Sequence, residues 1–192
     1  MQAAVSTTTD KQELILEAVL RLLGQQGISG VSIRAVAREA GVGLGLVNYH
    51  YADKTGLIAA ALNRIGEQDL TLLDGEAELT PVERLRAALR RVAAPRYLTT
   101  EHLSLRLQLW SLAQAHPEYE QINTAAQKTY RDRLAVLIRD ARPELGRAEC
   151  ARRAADIDVL QNGLWLTALL GLDRASVKRC VTRCEEIALG EK

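Results

Sequence analysis

The residues best equipped for chemistry gather between Val31 and Lys54, in the stretch VSIRAVAREAGVGLGLVNYHYADK. Asn48 carries a carboxamide that can pair with the N6/N7 edge of adenine, and Leu44 can lie against a thymine methyl. Tyr49, His50 and Lys54 offer O–H and N–H groups to phosphate oxygens. At 100° per residue Leu44, Gly45, Asn48 and Tyr49 share one helical face, while Leu46 and Val47 point elsewhere. A short helix with that face, entered from a glycine turn, is how a helix-turn-helix meets the major groove.

Catalysis finds less support. The run Gly41-Val42-Gly43-Leu44-Gly45 has the glycine content of a phosphate loop, but such loops follow a strand and this one follows a helix. No Glu stands three residues before His50, His102 or His116, so the Glu-x-x-His pair of di-iron bundles is missing. The expectation is no enzyme, no cofactor and no metal. Further along, Trp110, Tyr130 and Trp165 sit in apolar helical segments, with Asp158, Gln161 and Asn162 as polar neighbours of Trp165. Apolar walls with a few polar groups make ligand pockets in helical bundles, and the rings would suit a quaternary ammonium group by cation–π contact. Cys180 and Cys184 lie four apart, on one helical face; small buried side chains are the plainer reading, and a thiol switch the sharper one.

Positioning these residues takes helices. Asp10 and Glu13 form a capping-box-like start, after which Leu14, Ile15, Ala18, Val19, Leu22 and Leu23 make one stripe ended by Gly27. Ser32 caps a second helix with Ile33, Val36, Ala37 and Ala40 on its apolar side, and Gly41 ends it. The third, Leu44 to Tyr49, is only about 9 Å long and must be held by packing. Asp53 can cap a fourth helix running to about Gly75. Thr80-Pro81-Val82-Glu83 opens a fifth, which Pro95 ends or kinks. Leu103, Leu105, Leu107 and Leu109 alternate with polar residues as in a strand, yet leucine favours helices and β-branched residues are missing. Wound as a helix, Leu103, Leu107 and Trp110 take one side and Leu105, Leu109 and Leu112 the other, so this sixth helix is expected to be buried between neighbours. The seventh runs from about Glu118 to Ala141 and the eighth from about Arg147 to Leu170. The ninth runs from Asp173 to Gly190 and carries Val177, Cys180, Val181, Cys184 and Ile187 on one stripe.

The N-terminal segment resembles the DNA-binding domain of the tetracycline-repressor (TetR) family of bacterial regulators. The matching residues are Ser32, Ile33, Ala37, Ala40, Gly41, Val42, Tyr49, His50, Tyr51, Lys54 and Leu57. Tyr51 stands where the family usually has phenylalanine, and Gly43 or Leu44 where it often has Ser or Thr, which removes a hydroxyl. The segments Leu107–Tyr119 and Leu160–Gly171 resemble the regulatory domain of the choline-responsive, BetI-like branch. The resemblance implies a DNA-facing set of Ser32, Arg34, Gly43, Leu44, Gly45, Asn48, Tyr49, His50 and Lys54. It also implies an effector cavity at Trp110, Tyr130, Asp158, Gln161, Asn162 and Trp165. Dimerisation is expected through the last two helices, at Leu164, Val177, Cys180, Val181 and Cys184.

Composition fits this without adding to it. The 192 residues are 47% hydrophobic with no Phe, so the core is built from Leu, Ala, Val and Ile. Net charge is +1. Residues 10–54 carry five basic and five acidic side chains, so charge alone would not suggest DNA. No apolar run reaches membrane-spanning length and the first ten residues lack a signal peptide's pattern. Three cysteines read as reduced thiols. The expectation is an all-α protein of about nine helices, with a helix-turn-helix domain over 1–54 and a ligand-binding and dimerisation bundle over 55–192. Its function would be that of a cytoplasmic, homodimeric, ligand-responsive repressor acting on a palindromic double-stranded operator, with a small-molecule effector and no membrane. The alternative is a helical ligand-binding or adaptor protein without specific DNA binding.

Overall fold

The structure, a computed structural model, describes residues 2–75, 78–171 and 173–190. Among them are nine α-helices and no strand: α1 (Gln2–Gly30), α2 (Ile33–Ala40), α3 (Leu44–His50), α4 (Lys54–Thr71), α5 (Pro81–Arg91), α6 (Thr100–Ala113), α7 (Pro117–Ala141), α8 (Arg147–Leu169) and α9 (Arg174–Leu189).

Helix ends follow the capping chemistry. Thr80 and Glu83 close a reciprocal capping box at α5, Asp53 accepts from the Gly56 N–H at 2.9 Å, and Asp173 accepts from the Ser176 N–H at 2.7 Å. Two ends differ from expectation. α1 begins at Gln2 rather than Asp10, and a further helical turn follows Gly27, whose φ of 68° and ψ of −170° interrupt the helix. α4 stops at Thr71, four residues before Gly75, and its Thr71 hydroxyl donates to the Gln68 carbonyl.

Contacts divide the chain into two compact units. The first takes residues 1–65 and 104–123, the second 66–103 and 124–192. The helices α4, α6 and α7 are therefore each shared between units. In the first unit Ile15 and Leu23 of α1, Val36 of α2, Val47 of α3, Leu57 and Ile58 of α4 and Leu109 of α6 form one core. In the second, Leu85 and Leu89 of α5, Leu134 and Ile138 of α7, Ile157 of α8 and Ala188 of α9 form another. These are units of packing, and they do not follow the functional division expected at residue 54.

The alternating leucines of α6 are helical. Leu103, Leu105, Leu109 and Leu112 are buried, but Leu107 is 41% exposed, so the helix is not apolar-covered on every side.

Candidate nucleic-acid interface and effector cluster

Seven residues give α3 too few internal hydrogen bonds to persist alone. Its anchor is Val47, fully buried in the first core. Gly41 makes the corner possible. With φ at 66° it sits in the left-handed region, and its N–H reaches back to the Ala37 and Arg38 carbonyls. The Tyr51 N–H donates to the Val47 carbonyl at 2.8 Å, and the buried Tyr51 hydroxyl accepts from Gln12 on α1. Burial pushes the Tyr51 hydroxyl's pKa up, so it stays protonated.

The face left over is the one read from the sequence. Leu44, Gly45, Asn48 and Tyr49 are exposed, Tyr49 by 79%. A Cβ added at Gly43 or Gly45 would meet no protein atom within 4 Å. The chain's own packing therefore makes no demand for glycine at either position. Ser32 is exposed, and its hydroxyl already accepts from the Ala35 N–H at 3.1 Å as the α2 cap. Arg34 is exposed on α2. His50 stacks edge-on against Tyr49 at 5.1 Å, and its Nε2 is shielded from solvent. Lys54 is half-buried and its ammonium donates to the Ile28 carbonyl at the end of α1, so it ties two helices together besides facing any phosphate. Sequence reading passed over Arg38, exposed one turn after Arg34 on α2. The four-residue spacing was the available signal. Glu39, its acidic neighbour, is paired with Arg21 at 2.9 Å.

The second unit brings Tyr130 of α7 together with Asp158, Gln161 and Asn162 of α8. The Tyr130 hydroxyl donates to Gln161 Oε1 at 2.8 Å. Arg131 donates to Asp158 Oδ2 at 3.2 Å and Asn162 to Asp158 Oδ1 at 3.1 Å. Asp158 is 8% exposed and Gln161 3%. Burial pushes the Asp158 carboxyl's pKa up; the Arg131 bond and charge, and the Asn162 bond, pull it back down. Gln161 Nε2 is buried with no hydrogen-bond partner, a donor whose desolvation is uncompensated. Trp165, one turn further, is buried and donates its indole N–H to the Val92 carbonyl at 3.1 Å. Arg131 was missed from sequence: a buried acid implies a cationic partner, but α7 offers several arginines. Trp110, half-buried on α6, belongs to the first unit.

Of the residues expected at a dimer surface, Leu164 and Cys184 are 3% and 2% exposed and lie inside the protomer. Val177, Cys180 and Val181 are half-buried. The exposed large apolar side chains of α8 are instead Val159 at 71% and Leu166 at 42%, followed by Leu170 at 78%. Among the described residues no group of three or more His, Cys, Asp or Glu could hold a metal, and no helix is long and apolar enough to cross a membrane.

Residues 15–61 match the family described as bacterial regulatory proteins, tetR family, and residues 81–189 match the BetI-type transcriptional repressor C-terminal family. A relative, the HTH-type transcriptional regulator BetI of Paraburkholderia phymatum, is 28% identical over 166 residues, covering 85% of this chain and 84% of its own length. A TetR-family transcriptional regulator from Rhodococcus sp. superimposes with a TM-score of 0.80 at 23% identity, over 94% of this chain and 99% of that one. A transcriptional regulator from Saccharomonospora viridis, solved in complex with choline, superimposes with a TM-score of 0.71 at 21% identity, over 93% and 95% of the two chains.

Proposed function

The chain belongs to the TetR family of bacterial regulatory proteins, with a BetI-type C-terminal part, and from that premise we propose which of its residues read DNA, sense a ligand and join two copies. It is a ligand-responsive, DNA-binding transcriptional regulator. In this reading α3 enters the major groove of a palindromic operator. Asn48 and Leu44 face base edges, Tyr49 and His50 face the flanking backbone, and Gly43 and Gly45 let the α3 backbone come close. Ser32 and Arg34 at the start of α2 take phosphates, where free N–H groups and the helix dipole favour anions. Arg38 extends this contact, and Lys54 adds a cation while bracing α1. The observation that carries the reading is the bare face of α3: Leu44, Gly45, Asn48 and Tyr49 are exposed on a helix whose one fully buried residue is Val47.

A gel-shift with the promoter region beside the protein's own gene tests it. Asn48→Ala is expected to weaken operator binding at least about tenfold and to relax one base position in each half-site. Arg38→Ala should weaken all sequences alike and lower the slope of log affinity against log salt by about 1. If both variants bind operator like wild type, the docking is wrong. Absence of a shift with wild type would favour the adaptor reading.

We infer a two-fold dimer that sets its recognition helices one or more DNA turns apart, about 34–36 Å per turn. The face we assign to it is Val159, Leu166 and Leu170, beside the exposed side of α9, because buried Leu164 and Cys184 have no surface to offer a partner. Val159→Glu places a charge on that face without touching the protomer core. Light scattering should then report a folded monomer, and a dimer of unchanged stability would move the interface elsewhere. A DNA partner puts the protein in the cytoplasm, and no catalytic role is assigned to any residue.

The effector site is proposed at Tyr130, Asp158, Gln161, Asn162 and Trp165, with the unpaired Gln161 Nε2 as the group a ligand's acceptor atom would satisfy. Trp110 lies in the first unit and is left out of this site. Choline, bound by the Saccharomonospora regulator, is the first ligand to try. Release follows from a shared helix. α4 begins just after the recognition helix and carries Gly66, where an added Cβ would come within 2.9 Å of Ala126 Cβ on α7. Ala126 lies one turn before Tyr130. A ligand that shifts α7 therefore presses on α4, and close-packed helices pass displacement on.

A further inference from the structure

Within the second unit, the end of α5 and one side of α9 line an open groove of about 360 Å³, a size within the range of small-molecule sites, about 300–1,000 Å³. Its floor is apolar. Val177 and Val181, one turn apart on α9, are half-buried, as is Ala93 just past α5. Its rim is cationic, with Arg90, Arg174 and Lys178 all exposed. The one acid in the lining is Glu185, and it is already engaged. Arg90 donates from Nε and Nη2 to its two carboxylate oxygens at 2.7 and 3.4 Å, and Arg86 Nε lies 4.0 Å away. The Glu185 side chain is only 13% exposed, so it holds the Arg90 guanidinium in one orientation and offers little free charge of its own.

The neighbouring acids are spent elsewhere. Asp173 accepts from the Ser176 N–H at 2.7 Å and from its hydroxyl at 3.1 Å, and Glu186 pairs with Arg183 at 3.0 Å. Neither Arg174 nor Lys178 is ion-paired among the described residues. Four positions apart on α9, they stand on one side of the helix. Three cations against one acid leave an excess of two positive charges beside an apolar floor. No step of DNA or effector recognition uses this groove. It is also separate from the groove on the α8 side of α9, which Val159 lines, since the two share no residue.

We propose that this groove binds a small amphipathic anion, a carboxylate on an apolar body, as a second ligand site of the BetI-type part. The carboxylate sits among Lys178, Arg174 and the oriented Arg90, where charge-assisted hydrogen bonds hold it. The apolar body covers Val177 and Val181. A cation of the same shape meets the positive excess, and a small anion without an apolar body leaves the floor in water. The bound molecule joins the end of α5 to α9. Val92, beside Ala93, is buried and accepts the Trp165 indole N–H bond, so the ligand also braces the backbone behind Trp165. Any effect on effector response rests on the effector site proposed above, whereas binding in the groove does not.

The experiment titrates the full-length protein with octanoate, acetate and octylammonium in a calorimeter, with light scattering of the same samples. Octanoate is expected to bind at one site per chain, at least about tenfold more tightly than acetate, which lacks the methylenes that would cover the floor. It should exceed octylammonium, which has the tail and the opposite charge, by at least about tenfold as well. Lys178→Glu reverses one exposed rim charge and should weaken octanoate at least about tenfold. Lys178→Gln repeats the test if the glutamate variant melts early. Arg147→Glu makes the same change of charge at the exposed first residue of α8, outside the groove, and should leave octanoate binding unchanged. The oligomeric state should not change on titration. Octanoate that binds no more tightly than acetate overturns the proposal, as does octylammonium binding as tight as octanoate. Equal losses in the Lys178 and Arg147 variants overturn it too. So does dissociation of the protein's assembly by octanoate, which would make the groove a contact between subunits. Operator binding and release by choline are measured separately on wild type, so a failure of the regulatory reading stays distinguishable from a failure here.

Discussion

Trp165→Ala is expected to destabilise the second unit by about 3–5 kcal/mol, the range for truncating a buried aromatic side chain. The indole is only 5% exposed, so the lost transfer energy and the cavity left behind both count. Its N–H bond to the Val92 carbonyl disappears as well, which leaves an acceptor at the end of α5 without this donor. Whole-domain stabilities are about 5–15 kcal/mol, so the loss is a large share of what is available. Urea titration is the measurement, and the midpoint should fall without a matching change in slope. Trp165→Phe keeps most of the ring and drops the donor, so its cost should be about 1 kcal/mol. A Trp165→Ala protein as stable as wild type would mean that the ring lines empty space rather than the core. The size of the effect also governs how Trp165 can be used functionally. A loss of effector response in the alanine variant would report on folding first, whereas the phenylalanine variant keeps the fold and tests ring contact with a ligand.

The helices were legible because their ends are local chemistry. Ser32, Gly41, Asp53, Thr80 with Glu83, and Asp173 each sit where a free backbone group needs a side chain or a left-handed residue, and the structure uses each of them so. The exposed face of α3 was legible for a similar reason, since one buried valine on a seven-residue helix fixes its rotation. What could not be read was which neighbour a stripe meets. The apolar stripe of α9 looks the same whether it faces its own protomer or a second copy. Cys184 and Leu164 turn out to fill the protomer, and Val159 and Leu166 on α8, with Leu170 just after it, remain outside. Arg131 and the bond from Lys54 to the Ile28 carbonyl were hidden likewise. Both join residues more than twenty positions apart, a distance at which residue type says what a group needs and tertiary packing decides who supplies it. The leucines of α6 show the same limit in one helix, with Leu107 left exposed where its spacing suggested a buried second side.

The double variant Tyr130→Phe with Gln161→Leu is expected to fold as wild type, to bind operator as wild type without ligand, and to lose its release by effector. Each single change leaves a buried partner behind. Gln161→Leu takes the Oε1 acceptor from the Tyr130 hydroxyl, 2.8 Å away, and Tyr130→Phe takes the donor from Gln161, so each single variant should cost about 1–3 kcal/mol. Together they remove donor and acceptor at once, and with them the buried Nε2 group that has no hydrogen-bond partner. Replacing both ends of a buried hydrogen bond by apolar groups of similar shape is nearly neutral, so the double variant should lie within about 1 kcal/mol of wild type. Release is another matter. A ligand shifts the operator equilibrium only by the difference in its affinity for the two states of the protein. If that difference is made at Gln161 Nε2 and transmitted by α7 through Ala126 to Gly66 of α4, an apolar pair at these positions removes its source. Coupling of about 1–3 kcal/mol corresponds to a drop in operator affinity of up to about a hundredfold, and linkage requires operator DNA to weaken ligand binding by the same factor. Both quantities should collapse together in the double variant. The measurement is a titration of ligand into operator complexes, with choline first and then the small molecules that co-purify with the protein, paired with ligand binding in the presence and absence of operator. Full release by a molecule that releases wild type would place the effector elsewhere in the second unit and leave the reading of α3 untouched. Loss of release with unchanged ligand affinity would instead assign Tyr130 and Gln161 to the transmission of the signal through α7.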